Sequence, residues 1–391
     1  MSLSKETQLI HDSNRGQTYQ SANPPLYYAS TYHQHILGGN TPYDYARSGN
    51  PNRELLETKL AQLENGKHGF AFNSGIAAIT AVFLTLEAGD HVILPDDVYG
   101  GTFRLTEQIL SRFNITFTTV NAENTQNIKN AIRPNTKLIY IETPSNPLFK
   151  ITDIHEVINV ARHHHIQVAV DNTFMTPLGQ QPLDLGADIV IHSATKFLSG
   201  HSDVIAGAVV TNNDAIAEAL YLIQNGTGTG LSVYDSWTLT QHLKTLSVRF
   251  NQSVKSAQTI SHFLSNHPAI SQVYYPGHHA VHLQQAQHGG AVLGFRLVDE
   301  KKAQQFVNAL NIPLVSVSLG GVETILSHPN TMSHAAIPQS IREERGITFG
   351  LFRLSVGLES VDDLISDLDY ALKEVFDESI VRYTQAQSSS G

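Results

Sequence analysis

Seven short apolar runs, each separated from the next by a stretch of helical spacing, constrain this chain more than any other feature. They cover 69–72, 91–94, 115–120, 138–141, 167–170, 189–192 and 206–210. Several are apolar throughout rather than alternating, as a strand must be when helices cover both faces of a parallel sheet. The alternation predicts an α/β domain with a mostly parallel central sheet over residues 53–245. Its first helix is marked by Leu55, Leu56, Leu60 and Leu63 at helical spacing, with Asn65-Gly66 as the stop.

Residues 1–52 are rich in Tyr, His, Asn, Gly and Pro without periodicity, and read as an extended arm. One long helix over 239–264 is expected to carry the chain out of the first domain. Strands at 294–297, 313–317 and 352–356 beside helical segments predict a smaller α+β domain over 246–391. The polar tail from Thr384 to Gly391 reads as disordered.

Charged residues make up 15% of the chain, against about 25% in a typical soluble protein. Part of the exterior is therefore expected to be buried against other copies. The net charge of −10, without a basic block, argues against a nucleic-acid partner. The absence of Cys removes disulfides, thiolate metal sites and thiol nucleophiles. The N-terminus carries no apolar signal segment and no eighteen apolar residues run together, so the expectation is a soluble, cytoplasmic protein.

The segment Ile191-His192-Ser193-Ala194-Thr195-Lys196 ends a strand and delivers two hydroxyls and an amine into a small-residue loop. Open α/β sheets bind ligands at that end of their strands. A lysine there can form a Schiff base with a carbonyl, and Ser193 and Thr195 suit a phosphate. The same segment alone fits an ordinary surface lysine equally well. Asp171, closing the apolar run 25 residues earlier, tips the balance, because a buried carboxylate needs a cationic partner. A protonated pyridine nitrogen is one such partner; capping the turn at Asn172-Thr173 is the plainer role. Asn73-Ser74-Gly75-Ile76 would present free N–H groups at a helix start to an anion.

These segments and several others together resemble the Cys/Met-metabolism family of pyridoxal-5′-phosphate (PLP) enzymes, the cystathionine γ-synthase and γ-lyase group. The matching motifs include Tyr45-Ala46-Arg47-Ser48-Gly49-Asn50-Pro51, Asp97-Val98-Tyr99-Gly100-Gly101-Thr102 and Glu142-Thr143-Pro144-Ser145-Asn146-Pro147. They continue through Asp171-Asn172-Thr173, Ser193-Ala194-Thr195-Lys196, Ser318-Leu319-Gly320-Gly321 and Phe352-Arg353-Leu354-Ser355. The resemblance implies the aspartate-aminotransferase-like fold type I and a PLP cofactor held by Lys196 as a Schiff base. It makes Asp171 the partner of the pyridinium, and Ser193, Thr195, Thr173, Gly75 and Ile76 cofactor contacts. Tyr45 and Arg47 would reach the phosphate from a neighbouring subunit, which implies a homotetramer built from site-sharing dimers. Tyr99 would stack on the ring and take part in proton transfer. Asn146, Ser318 and Arg353 would hold the substrate carboxylate or the lysine, with Asp44, Arg104 and Val317 as further substrate contacts.

Within that resemblance, Gly100 stands where methionine γ-lyases usually carry a cysteine, and Leu319 differs from the tryptophan of typical bacterial β-lyases. Val317 replaces the glutamate that many γ-lyases and γ-synthases carry before the serine. The reading is cystathionine γ-lyase activity with accompanying β-elimination; the alternatives are cystathionine γ-synthase and cystathionine β-lyase. Neither His155-Glu156-Val157-Ile158-Asn159 nor His163-His164-His165 has the spacing of a metal site, and Gly226-Thr227-Gly228-Thr229-Gly230 lacks dinucleotide spacing and reads as a flexible loop near the site.

Overall fold

The computed structural model describes residues 3–11, 21–335 and 337–388. All seven expected strands form, as β1 (His68–Phe72), β2 (His91–Pro95), β3 (Thr116–Val120), β4 (Thr136–Glu142), β5 (Gln167–Asp171), β6 (Ile189–His192) and β7 (Gly207–Thr211). They make one sheet in the order β1-β7-β6-β5-β4-β2-β3. Only the β1–β7 and β6–β7 pairs are antiparallel. Alternate residues of one strand enter different cores: Val190 packs with Leu56, Leu60 and Leu63, whereas Ile189 and Ile191 pack with Phe72, Phe83 and Tyr140. Burial on both faces is why these runs are apolar throughout. β3 lies at the edge and is half exposed, which accounts for its three threonines.

Short helix α1 (Lys5–Ile10) buries Leu9 in the core, so the arm is not wholly extended. Helix α2 (Pro51–Leu63) starts where Asn50 accepts the N–H of Arg53 and proline occupies the first turn. It ends before Asn65, whose φ of +56° breaks the helical path. Helix α3 (Gly75–Phe83) follows β1, with Ser74 capping it through the N–H of Ala77. Helix α4 (Gly100–Gln108) starts after Tyr99.

The single helix expected over 239–264 is two, Val233–Leu243 and Leu246–Ser265. The break is held by Arg249, whose guanidinium donates to the His242 carbonyl at 3.0 Å and to Thr245 Oγ1 at 3.0 Å. The chain then builds a second sheet, in the order β10-β11-β12-β9-β8. Its strands are β8 (Ile270–Tyr274), β9 (Val292–Leu297), β10 (Leu314–Val315), β11 (Ile325–Ser327) and β12 (Leu351–Ser355). The strand expected at 313–317 shrinks to two residues, because the chain turns at Ser318, where φ is +82°. The final helix, Val361–Ser388, takes in part of the tail expected to be disordered, since no Gly or Pro interrupts 361–388; residues 389–391 lie outside the described residues. Among the described residues, no helix is long and apolar enough to cross a membrane.

Candidate active site

β1, β4, β5 and β6 point the same way, so their carboxyl ends share one rim of the first sheet, the position where such sheets bind ligands. β6 ends at His192, and the loop after it is wound by a bond from Lys196 N to the Ser193 carbonyl, 3.1 Å. The Lys196 ammonium reaches across to the second sheet's region and donates to Ser318 Oγ at 2.7 Å. Burial, reinforced by the nearby Arg353 charge, lowers its pKa from 10.5 to about 8. An amine so tuned has a substantial unprotonated fraction near neutral pH, as nucleophilic and basic lysines require.

Ser318 is held in a backbone region that few residues other than glycine adopt. Strain of this kind collects at functional positions. Gly320 follows at φ +79°, and a Cβ there would come within 2.6 Å of Phe197 N and 2.9 Å of the Lys196 carbonyl carbon. The Ser318-Leu319-Gly320 turn is thus pressed against the backbone of Lys196.

Arg353, on β12, is only 3% exposed. Its guanidinium donates to Asn146 Oδ1 at 2.9 Å, to the Ser318 carbonyl at 2.6 Å and to Ser327 Oγ at 3.0 Å. All three acceptors are neutral, and Arg353 Nε has no hydrogen-bond partner. Burial lowers even this guanidinium's pKa to about 10. A buried cation without a carboxylate is costly, and the fork suits a carboxylate brought in by a ligand. Ser327 was not legible as a site residue, since it lies on a three-residue strand.

Asp171 closes β5. Its carboxylate accepts from Thr173 N at 3.0 Å and from the Tyr140 hydroxyl at 3.2 Å. No salt bridge reaches it among the described residues, and burial raises its pKa. The N–H groups of Gly75 and Ile76 open α3 with no preceding turn to bond, at the positive end of the helix dipole. A Cβ on Gly75 would sit 2.6 Å from Ser193 Oγ, so glycine is what lets that hydroxyl join the helix terminus. Thr173 Oγ1 accepts the N–H of Ser193 at 2.8 Å and ties the two segments together. Thr195 instead holds the Ala206 backbone, donating to its carbonyl at 3.1 Å and accepting its N–H at 2.9 Å.

Tyr99 lies half exposed before α4, and its N–H is held by both oxygens of Glu142 at 3.2 Å. Gly101 gives its ring room: a Cβ there would lie 2.4 Å from Tyr99 Cε1. Asp44, Tyr45 and Arg47 stay with the arm. The Arg47 guanidinium donates to the Asn225 carbonyl and Oδ1, both at 2.9 Å, and lies 5.5 Å from the Tyr45 ring centroid. Asp44 accepts its neighbour's N–H at 2.6 Å. Arg104 is exposed on α4, and Val317 is 59% exposed beside Ser318. The glycine-rich stretch at 226–230 begins as the end of helix Asp214–Thr227, and its Thr229 carbonyl accepts the N–H of Asn73 beside the α3 terminus.

The donor set fits PLP: an anion cradle for the phosphate, a half-buried carboxylate with no salt bridge among the described residues for the pyridinium, and a low-pKa lysine for the aldehyde. The profile of the Cys/Met metabolism PLP-dependent enzymes matches residues 6–373. The chain belongs to this family. A protein of Staphylococcus haemolyticus named cystathionine β-lyase is 68% identical over 390 residues, covering 100% of both chains. A Bacillus subtilis protein named cystathionine γ-lyase is 45% identical over 380 residues, covering 95% of this chain and 100% of its own. The crystal structure of cystathionine γ-lyase from Lactobacillus plantarum complexed with L-serine superposes with TM-score 0.93 at 43% identity, covering 95% of this chain and 99% of that one. The chain is therefore a PLP-dependent carbon–sulfur lyase of fold type I, in the trans-sulfuration branch acting on cystathionine-related substrates.

Proposed function

We propose that the chain is a cystathionine β-lyase, which splits the Cβ–S bond of L-cystathionine and, with water, yields homocysteine, pyruvate and ammonia. The observation that carries this reading is the full-length 68% identity to the β-lyase of S. haemolyticus, against 45% to the B. subtilis γ-lyase. It replaces the γ-lyase expectation by one of the alternatives. Val317 accords with it only in departing from the glutamate that many γ-lyases and γ-synthases carry before the serine.

Residues 53–245 and 246–391 are taken as the two domains, with the seam between them as the substrate cleft. Gly75, Ile76, Ser193 and Asp171 would hold PLP, and Thr195 would join them once its O–H turns from Ala206. The bound cofactor supplies the electron sink. Arg353, oriented by Asn146 and Ser327, would fork the α-carboxylate and hold Cα beneath Lys196. The Lys196 amine would take the Cα proton, steered by Ser318; the sulfur would leave from Cβ and be protonated by Lys196 or Tyr99. Tyr45 and Arg47 would complete the phosphate site of a second copy, with Asp44 and Arg104 at the mouth of the cleft.

The test is product analysis with purified holoenzyme and L-cystathionine. Pyruvate with homocysteine supports the β-lyase. Dominant 2-oxobutyrate with cysteine assigns the γ-lyase instead, and turnover confined to O-acyl-homoserine plus cysteine assigns the synthase.

A further inference from the structure

Glu142 belongs to no role described so far except as the acceptor of an N–H. It closes β4 in register with Asp171 on β5, so the two carboxyl groups lie side by side on one face of the sheet. Glu142 is 6% exposed. The Tyr140 hydroxyl lies between them, 3.1 Å from Glu142 Oε1 and 3.2 Å from Asp171 Oδ2. Both oxygens of Glu142 also receive the N–H of Tyr99.

The proton count at this cluster is informative. Tyr140 has one hydroxyl proton and cannot donate to two carboxylates at once. If both acids were ionised, two buried anions would face each other across it, with Asp97 adding a third acidic group nearby. His192 acts on Asp171, and Lys150 acts on Asp97. The His192 ring, at the end of β6, is held at 2.5 Å by Glu64, the residue that follows α2. Burial first, and the Asp171 charge second, hold the Glu142 carboxyl well above the usual carboxylate range. Two acids in one dry site share a charge by keeping one proton. The proton on Glu142 completes a single directed chain: Glu142 O–H to Tyr140 O, and Tyr140 O–H to Asp171.

We propose that Glu142 is a positioning residue that works as a neutral carboxylic acid, fixing the Tyr140 hydroxyl on the Asp171 carboxylate and the backbone of Tyr99 at the start of α4. This rests on the reading that Asp171 faces the pyridinium and Tyr99 the cofactor ring. One uncharged group then sets both the anion beneath the ring nitrogen and the aromatic residue over the ring.

The test compares Glu142→Gln and Glu142→Ala holoenzymes by the visible absorbance of bound PLP between pH 6 and 10, the PLP release rate, and kcat and KM. Glutamine is uncharged, can donate to Tyr140 and can accept from Tyr99. It is expected to keep PLP release and kcat within about threefold of wild type, with an unchanged pH midpoint. Alanine is expected to lower kcat at least tenfold, speed PLP release and shift the absorbance band, with KM little changed. Glutamine as damaging as alanine would overturn the neutral-acid assignment; alanine behaving as wild type would overturn the positioning role. Should Glu142→Ala not fold, Tyr140→Phe replaces it: a shifted band supports the chain of hydrogen bonds, and a wild-type band overturns it. Asp171→Asn is measured alongside. Loss of PLP in that variant with a silent Glu142→Ala rejects the role of Glu142 alone, whereas a silent Asp171→Asn rejects the cofactor reading beneath it.

Discussion

Replacing Arg353 by lysine or by methionine separates two effects that this side chain exerts. Geometrically, the guanidinium spans Asn146 Oδ1, the Ser318 carbonyl and Ser327 Oγ and offers a planar fork to a carboxylate. Electrostatically, its charge helps to hold the Lys196 ammonium down at about 8. Removing one partner of a buried charged pair costs about 3–5 kcal/mol, which at about 1.4 kcal/mol per decade is a loss of two to three and a half decades in kcat/KM. Arg353→Met is expected to fall in that range. Arg353→Lys keeps the charge but loses the fork, and should fall by about two decades, mainly through KM. The charge effect is read on apoenzyme, where PLP uptake requires the unprotonated Lys196 amine. Its rate should rise with pH through a midpoint near 8 in wild type and in Arg353→Lys. In Arg353→Met the midpoint should move upward, though short of the ordinary 10.5, because burial is the larger cause of the shift. A midpoint that stays fixed in Arg353→Met, or a lysine variant with wild-type kcat/KM, would refute the reasoning.

Three further outcomes follow from the geometry. Gly320→Ala should retain the sheets, visible by circular dichroism, yet release PLP faster, because its Cβ would meet Phe197 N at 2.6 Å and push the Lys196 backbone. Arg47→Ala should retain PLP poorly, and mixing it with Lys196→Ala subunits should restore part of the activity at hybrid sites; no recovery after verified subunit exchange would argue against a shared site. Asp97, buried against Ser145, has its pKa raised from 3.8 to about 6. The folded state therefore binds the proton more tightly than the unfolded state, and this contribution is full below pH 3.8 and lost as pH rises through about 6. The Tm of Asp97→Asn minus that of wild type should accordingly rise between pH 4 and 7, and a constant difference would contradict it.

The fold was most legible where tertiary and local preferences agree. β5 and β6 are buried on both faces, so their uninterrupted apolar runs could be read directly. β8 is partly exposed and β11 has three residues, so neither carries a periodic signal. The helix break at Lys244 and Thr245 is held by Arg249, a longer-range set of bonds that local periodicity does not encode. At the candidate site, Lys196 and Asp171 stood out by residue type at strand ends, whereas Arg353 came only with the family resemblance. Glu142 lay inside a recognised motif, but its role depends on register with Asp171, 29 positions away, which only the sheet supplies.

The hydrogen bond from Lys196 to Ser318 joins the regions of the two sheets at the amine proposed to react. In the proposed site, the groups that would hold the cofactor come from the first sheet, while the guanidinium that would fork the substrate comes from the second. Cofactor chemistry and substrate choice would then be largely separable in that site. Under the proposed reading, changes on β11 and β12 can redirect the enzyme to another amino acid, whereas the Ser318 turn is tied to Lys196 and is not free to vary. One such scaffold can consequently diversify into a set of enzymes sharing a chemistry but not a substrate.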